Sequence, residues 1–149
     1  MSGSKMNLIS IRSGLIFLIL ALSSEYSVGQ TFLDFINQLN SLPDSLRPAV
    51  VDSFMNANDE YPMIEFDTLA HFIYNSGTSS VTVPGDFNGW NPNSDYMTLI
   101  TGTEFHYKTK TFESDARLDY KFVVSGSNWI LDPLNPHTCY GGYGPNSEL

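Results

Sequence analysis

Gly85-Asp86-Phe87-Asn88-Gly89-Trp90 decides how the rest of this chain is read. An alternating run, Ser80-Val81-Thr82-Val83, precedes it and a polar loop, Asn91-Pro92-Asn93-Ser94-Asp95, follows, so the hexapeptide reads as the turn that leaves a β-strand. Asn88-Gly89 supplies the turn chemistry, because both residue types tolerate positive φ. Phe87 and Trp90 flank that pair and put two large aromatic rings on one tight turn. One ring can anchor the loop while the other faces outward as a binding platform. Equally, both can plug the end of a β-sandwich, since most Trp side chains are largely buried.

Outward from the turn, apolar residues recur with period 2 over residues 63–66, 69–74, 80–83, 96–100, 104–112, 117–124 and 128–130. Turn signals separate them, among them Asn75-Ser76-Gly77, Thr101-Gly102 and Ser125-Gly126-Ser127. Strands of this length and spacing predict an all-β, antiparallel, immunoglobulin-like sandwich. Within 117–124, Leu118, Tyr120, Phe122 and Val124 point to the core and Lys121 points out. Within 104–112, Phe105 and Tyr107 face the core in the same way, against His106, Lys108 and Lys110.

Upstream the period is helical. Phe32, Phe35, Ile36, Leu39 and Leu42 share one face of a short helix that Pro43 stops. A second helix starts at Asp44 or Ser45 as N-cap, tolerates Pro48 in its first turn, and lines up Leu46, Val50 and Phe54. Two short amphipathic helices need a surface to pack on, either the following domain or a partner. Downstream, Asp132-Pro133-Leu134-Asn135-Pro136 and Gly141-Gly142-Tyr143-Gly144-Pro145 hold too much Gly and Pro for a core strand and read as an ordered loop ending in a linker.

Residues 1–29 carry Lys5 and Arg12 before an apolar run, 15–22, that is short for a bilayer span, with small residues at Ser27-Val28-Gly29. This pattern predicts a secretory signal peptide cleaved before Gln30, with a single-pass anchor as the alternative. The product is exported, periplasmic or extracellular, with no stable membrane anchor after cleavage. Setting aside Lys5, Arg12 and Glu25 leaves five basic against fifteen acidic residues, ten negative charges in excess, which repels nucleic acid and anionic membranes. Cys139 has no second cysteine with which to form an internal disulfide. The expected organisation is a signal peptide over 1–29, a helical lead-in over 30–58, a sandwich over 59–140 and a Gly-rich linker over 141–149.

The hexapeptide, taken with Tyr120-Lys121-Phe122, Trp129 and Asp132-Pro133, resembles the early-set β-sandwich of the family-48 carbohydrate-binding modules, which glycogen-branching enzymes, isoamylases and the β subunit of AMP-activated protein kinase carry. That resemblance covers about residues 63–149. It implies a sugar-binding face at Trp90, Lys121, Trp129 and Asn146, with Gly85, Asp86, Phe87, Asn88, Gly89, Asp132 and Pro133 as motif residues. Residues 132–149 are also similar to the junction in exported enterochelin-esterase-like proteins, where the sandwich precedes an α/β-hydrolase domain. The helical segment over 31–58 looks like the lead-in of those esterases.

Catalytic chemistry is harder to assemble. There is no Gly-x-Ser-x-Gly elbow for a nucleophile, and His71, His106 and His137 are widely separated. Asp86 reads as a turn residue bonding its own backbone and Asp132 as a loop-start residue. No metal or cofactor is implied. Binding chemistry is present, because flat rings cover the C–H faces of sugars while amide and ammonium donors reach hydroxyls; an ester of an aromatic acid could use the same rings. The leading expectation is a noncatalytic accessory module at the front of an exported esterase, packed against its hydrolase domain. A free-standing α-glucan-binding module, for glycogen or starch, and a structural domain whose aromatics are core are the alternatives.

Overall fold

The computed structural model describes residues 30–149. The signal peptide read over 1–29 lies outside the described residues. Helix α1, Phe32–Ser41, opens with a capping box: the Asp34 N–H donates to Thr31 Oγ1 at 3.2 Å and the Thr31 N–H to Asp34 Oδ2 at 3.1 Å. Its face of Phe32, Phe35, Ile36 and Leu39 is buried, as the spacing predicts. One 3-10 turn, Asp44–Leu46, then leads into helix α2, Arg47–Ala57, with Pro48 in its first turn. Neither Asp44 nor Ser45 caps this helix. Starting it at Arg47 turns Val51 and Phe54 inward and leaves Val50 half-buried. Arg47 fastens the pair of helices: its Nε donates to the carbonyls of Leu39 at 2.8 Å and Leu42 at 3.1 Å, the first of which also accepts the Leu42 N–H where α1 ends.

Ten strands follow, paired antiparallel throughout. They are β1 (Met63–Glu65), β2 (Leu69–Asn75), β3 (Val81–Thr82), β4 (Thr98–Leu99), β5 (Phe105–Thr111), β6 (Asp119–Tyr120), β7 (Phe122–Val124), β8 (Asn128–Ile130), β9 (Thr138–Gly141) and β10 (Gly144–Glu148). The first sheet runs β1-β2-β5-β4. Both faces of its centre are covered. On one side the helices pack directly: Phe32 stacks on His71 at 4.3 Å between ring centroids, and Phe35 and Phe54, stacked at 3.9 Å, both meet Phe105 edge-on. Phe32 also meets Tyr107 at 5.5 Å. Phe105 and Tyr107 therefore face the helical layer and not the inter-sheet core. Alternation alone identifies two faces of a strand, and it names the core face only when the other is wet. His106 on the opposite face is buried, and Lys108 and Lys110 reach Asp95 at 3.5 and 2.8 Å.

On that opposite face Ala70 and Phe72 join Val81, Val83, Met97, Tyr120, Phe122 and Val124 in one apolar cluster. The second layer consists of β3-β7-β8 and β6-β10-β9. Strand 117–124, read as continuous, is interrupted at Lys121. There the Lys121 N–H donates to Pro84 O at 3.0 Å and Gly85 bridges to Tyr120, so residues 81–85 run beside 120–124 and knit the two small sheets together. The tail is not a linker. β9 and β10 form a hairpin in which Thr138 faces Ser147 and Asn146 faces Cys139, and β10 continues onto β6. Glycine bends the hairpin, with Gly144 at φ 99°, and Pro145 lies beyond the end of β6, where its missing N–H costs no ladder bond to that strand.

Asp132 does more than begin a loop. It is buried, accepts the Tyr120 hydroxyl at 2.7 Å and the Leu134 N–H at 2.8 Å, and its own N–H donates to Ser147 Oγ. Asn135 donates to the Tyr120 oxygen and to Glu148 O, so the stretch after Pro133 is tied to β6 and β10 by side chains. Burial pushes the Asp132 carboxyl above the usual carboxylate range.

His71 provides a test of the helical interface. Its ring lies 2.8 Å from Thr109 Oγ1 and 3.1 Å from Glu65 Oε2, and Glu65 Oε1 accepts the Phe32 N–H. Burial lowers its pKa below the ordinary 6.5, outweighing the Glu65 carboxylate, which acts to raise it. The unfolded chain thus takes up this proton more readily, and stability falls as pH drops below the unfolded value of about 6.5. The stability margin of the protein over a His71→Gln variant is expected to shrink from about pH 7.5 to about pH 5.5, as measured by urea unfolding of both. Asp132 titrates alike in the two proteins and cancels.

Candidate functional site

The hexapeptide turn follows from close approach at its first residue. Gly85 has extended backbone, φ −171°, so left-handed freedom is not its role. Space is: a Cβ there would stand 2.5 Å from the Asp119 carbonyl oxygen and 2.8 Å from the Phe87 ring. The Gly85 carbonyl accepts both the Asn88 and Trp90 N–H groups, at 3.1 and 2.9 Å. Asn88 folds back, its Oδ1 accepting the Gly85 N–H and its Nδ2 donating to Val83 O and Asp95 Oδ2. Asp95 ties the loop to β5. Its partial burial acts to raise its pKa, but hydrogen bonds from Lys110 and Asn88 and the charges of both lysines hold it below the usual carboxylate range. The left-handed residues are Gly89 at 63° and Trp90 at 61°, while Asn88 belongs to the 3-10 turn Asp86–Asn88. A Trp in that region is strained.

The two aromatic rings of the turn part company. Phe87 enters the core, 5.9 Å from Phe72 and 5.2 Å from Phe112, with the Lys110 ammonium 4.8 Å above its ring. Trp90 stays half-buried and faces the outer side of the second layer, where its Nε1 donates to Asp86 Oδ1 at 2.9 Å. Asp86 Oδ2 accepts the Asp119 N–H at 2.9 Å. Asp86 is therefore not a self-bonded turn residue. The N–H groups of Asn88, Gly89 and Trp90 are already taken by the Gly85 and Asp86 backbone carbonyls, which frees the carboxylate to orient the indole and clamp the turn onto β6.

Trp90, Lys121, Trp129 and Asn146 all line one cleft of about 640 Å³, with Asp86, Asp119 and Tyr143. Period 2 explains the convergence. Tyr120 and Phe122 point inward, so Asp119 and Lys121 point outward, and β8 and β10 lie beside them with Trp129 opposite Val123 and Ser147 opposite Tyr120. Trp129 is 44% exposed. Asn146 is buried, and its Nδ2 donates to Asp119 Oδ2 at 3.0 Å, so it braces the cleft floor and retains its carbonyl oxygen as an acceptor. Lys121 differs from every other base in residues 30–149. Arg47 pairs with Asp44, Lys108 and Lys110 with Asp95, and Arg117 with Glu148, whereas Lys121 has no acid within ion-pair distance among the described residues.

Asp119 and Tyr143 were not singled out from the sequence. The alternation that turns Lys121 outward does the same for Asp119, so that signal was available; Tyr143 was hidden by glycine-rich neighbours that read as linker. The histidines do not meet the cleft. His71 lies under the helices, His106 inside the sheet pair and His137 on the surface. Among the described residues no three His, Cys, Asp or Glu side chains stand together to hold a metal ion. Cys139 is half-buried, and its burial together with neighbouring Asp119 raises its thiol to about 11, which keeps it protonated and a poor nucleophile.

No protein-family model matches this chain, and no curated protein matches it. Solved structures do. Enterobactin esterase from Shigella flexneri in the presence of enterobactin superposes with a TM-score of 0.51 at 20% identity, covering 66% of this chain and 34% of that one. Ferric enterobactin esterase from Salmonella typhimurium gives 0.51 at 15% identity, covering 66% and 35%. This chain thus spans about a third of the length of the structures it matches. At these identities the likeness is one of fold.

The turn makes a sharp comparison between two glycines. Gly85→Ala drives a Cβ into the backbone of β6 and is expected to cost about 2–3 kcal/mol, as overpacking of a rigid site does. Gly89→Ala meets nothing within 4 Å and suffers only its left-handed φ, about 1 kcal/mol. Urea unfolding of the two variants checks the order, and a larger loss for Gly89→Ala contradicts the packing account.

Proposed function

We propose that this chain is a noncatalytic accessory module at the front of an exported esterase of the α/β-hydrolase type. In this reading it is built as an early-set, immunoglobulin-like sandwich of the kind found in family-48 carbohydrate-binding modules, and it uses the outer cleft to bind a hydroxylated ring. The convergence of both tryptophans and the unpaired lysine on one cleft carries the binding half of this reading. The fold likeness to about a third of the enterobactin esterases supports the other half. The signal-like residues 1–29 support export to the periplasm or cell exterior, and the acid excess weighs against nucleic acid as a partner.

An α-glucan is the second reading, and the cleft itself favours it. The rings of Trp90 and Trp129 present apolar faces, Lys121 donates, and Asp119 and the Asn146 carbonyl accept, which together match the alternating C–H faces and hydroxyls of a sugar. A neutral polyol uses donors and acceptors alike. The cleft volume falls in the range that encloses a small ligand.

Two measurements test these readings separately. The transcript is expected to continue in frame past Leu149 into a domain with a Gly-x-Ser-x-Gly elbow, and a stop codon at that point in the intact gene defeats the esterase assignment. For glucan, the purified protein is expected to be retarded on glycogen or starch gels, and Trp129→Ala to weaken binding about tenfold without altering the melting temperature. Unretarded migration of the parent protein sinks the glucan reading.

A further inference from the structure

Tyr143 is 102% exposed, and Tyr140 on the same hairpin is 90% exposed. A fully solvated tyrosine contributes no packing to the fold, yet Tyr143 lines the same cleft as the two tryptophans. Its immediate setting combines open space on both sides with a fixed base. Gly142 and Gly144 flank it, Gly144 already at φ 99°, and a Cβ at either glycine would meet nothing within 4 Å. Gly141 is the opposite case: a Cβ there would stand 2.3 Å from Asn146 Nδ2, so this glycine is pinned against the residue that braces Asp119. The hairpin is thus anchored at Gly141, which pairs with Gly144, and at Asn146, and only Gly142 and Tyr143 lie outside its ladder at the tip.

We propose that Tyr143 is a ligand-binding residue of the cleft, the third ring of the site, whose unpacked side chain turns from the two-residue hairpin tip to cover the free face of a hydroxylated six-membered ring held at Trp90, Trp129 and Lys121. The inference rests on the reading of the cleft as a ring-binding site and adds the residue that encloses the ligand. A platform of two tryptophans leaves one ring face in water, and a third aromatic removes that face from water at the cost of ordering one side chain that starts unpacked. The hydroxylated ring can be a pyranose of a glucan or a hydroxybenzoyl group of an aromatic ester.

Both tryptophans of the chain line the cleft, so indole emission excited apart from tyrosine reads this site and nothing else in the chain. The full chain is titrated with maltoheptaose in one arm and methyl 2,3-dihydroxybenzoate, an uncharged ester, in the other, each for the parent, Tyr143→Ala and Tyr143→Phe. The expected result is saturable emission change with one of the two probes, about five- to tenfold weaker in Tyr143→Ala and retained in Tyr143→Phe. The melting temperature is expected to be the same in all three proteins, since the ring packs on nothing. Equal affinity for the parent and Tyr143→Ala overturns the role of Tyr143 and leaves the ring-binding cleft standing. Absence of any response to both probes in the parent overturns the cleft reading and this inference with it. The probe that responds identifies the source of the ring.

Discussion

The bare Cα of Gly85 against the carbonyl of Asp119 is the contact on which the rest of the second layer depends. It lets residues 81–85 lie beside 120–124, so that β3-β7-β8 and β6-β10-β9 behave as one surface despite the break at Lys121. The same approach brings Asp86 within reach of the Asp119 N–H and fixes the carboxylate that holds the Trp90 indole. A side chain at position 85 would push the turn off β6 and remove that orientation. The strain of a left-handed Trp is thereby balanced by two hydrogen bonds to one acid and by the embedding of Phe87 in the core.

The architecture assigns its surfaces by occupation. The centre of sheet β1-β2-β5-β4 is buried on both sides, by the phenylalanine cluster of α1 and α2 on one and by the second layer on the other, while its edge residues Ile64 and Leu99 stay exposed. A pair of short helices, marginal alone, is stabilised by this burial. What remains wet is the outer face of the second layer, and there the chain places both of its tryptophans. Strand parity separates the packed side chains from those that line the cleft: Tyr120 and Phe122 point in, and Asp119 and Lys121 point out.

Much of this was legible in the sequence, where local periodicity decides the outcome. The face of α1, the positions of β1 to β5 and of β8, and the outward direction of Lys121 follow from spacing and are found as read. The errors fall where a tertiary contact overrides local pattern. Phe105 and Tyr107 alternate as core residues should, but the sequence does not say that a helical layer competes for them. Residues 141–149 have the composition of a linker and form half of a hairpin, because Thr138, Asn146 and Ser147 find partners across it that no local signal announces. Asp86 reads as bonding its own backbone and Asp132 as starting a loop; Asp132 does accept the Leu134 N–H two residues on, but Asp86 also clamps Asp119 and Asp132 also holds Tyr120, partners at least a dozen residues distant. Side chains that join distant strands are the least visible class from sequence, since their spacing is set by topology and not by the period of any element.

Charge narrows what such a cleft can hold. Residues 30–149 carry a large excess of acid, and four of their five bases are neutralised by named partners. Asp86 and Asp119 stand on the cleft itself, beside Lys121. A strongly anionic ligand would enter against the field of the whole surface with a single ammonium to receive it, and a cationic one would meet Lys121 at close quarters. Over distances beyond about 8 Å salt screens these charges, but within the cleft it does not. A ligand with hydroxyls and little or no net charge would avoid both penalties, because hydroxyls can donate to carboxylates and accept from an ammonium alike. The mixed polarity of the cleft is thus an argument about ligand class that stands apart from any likeness of fold.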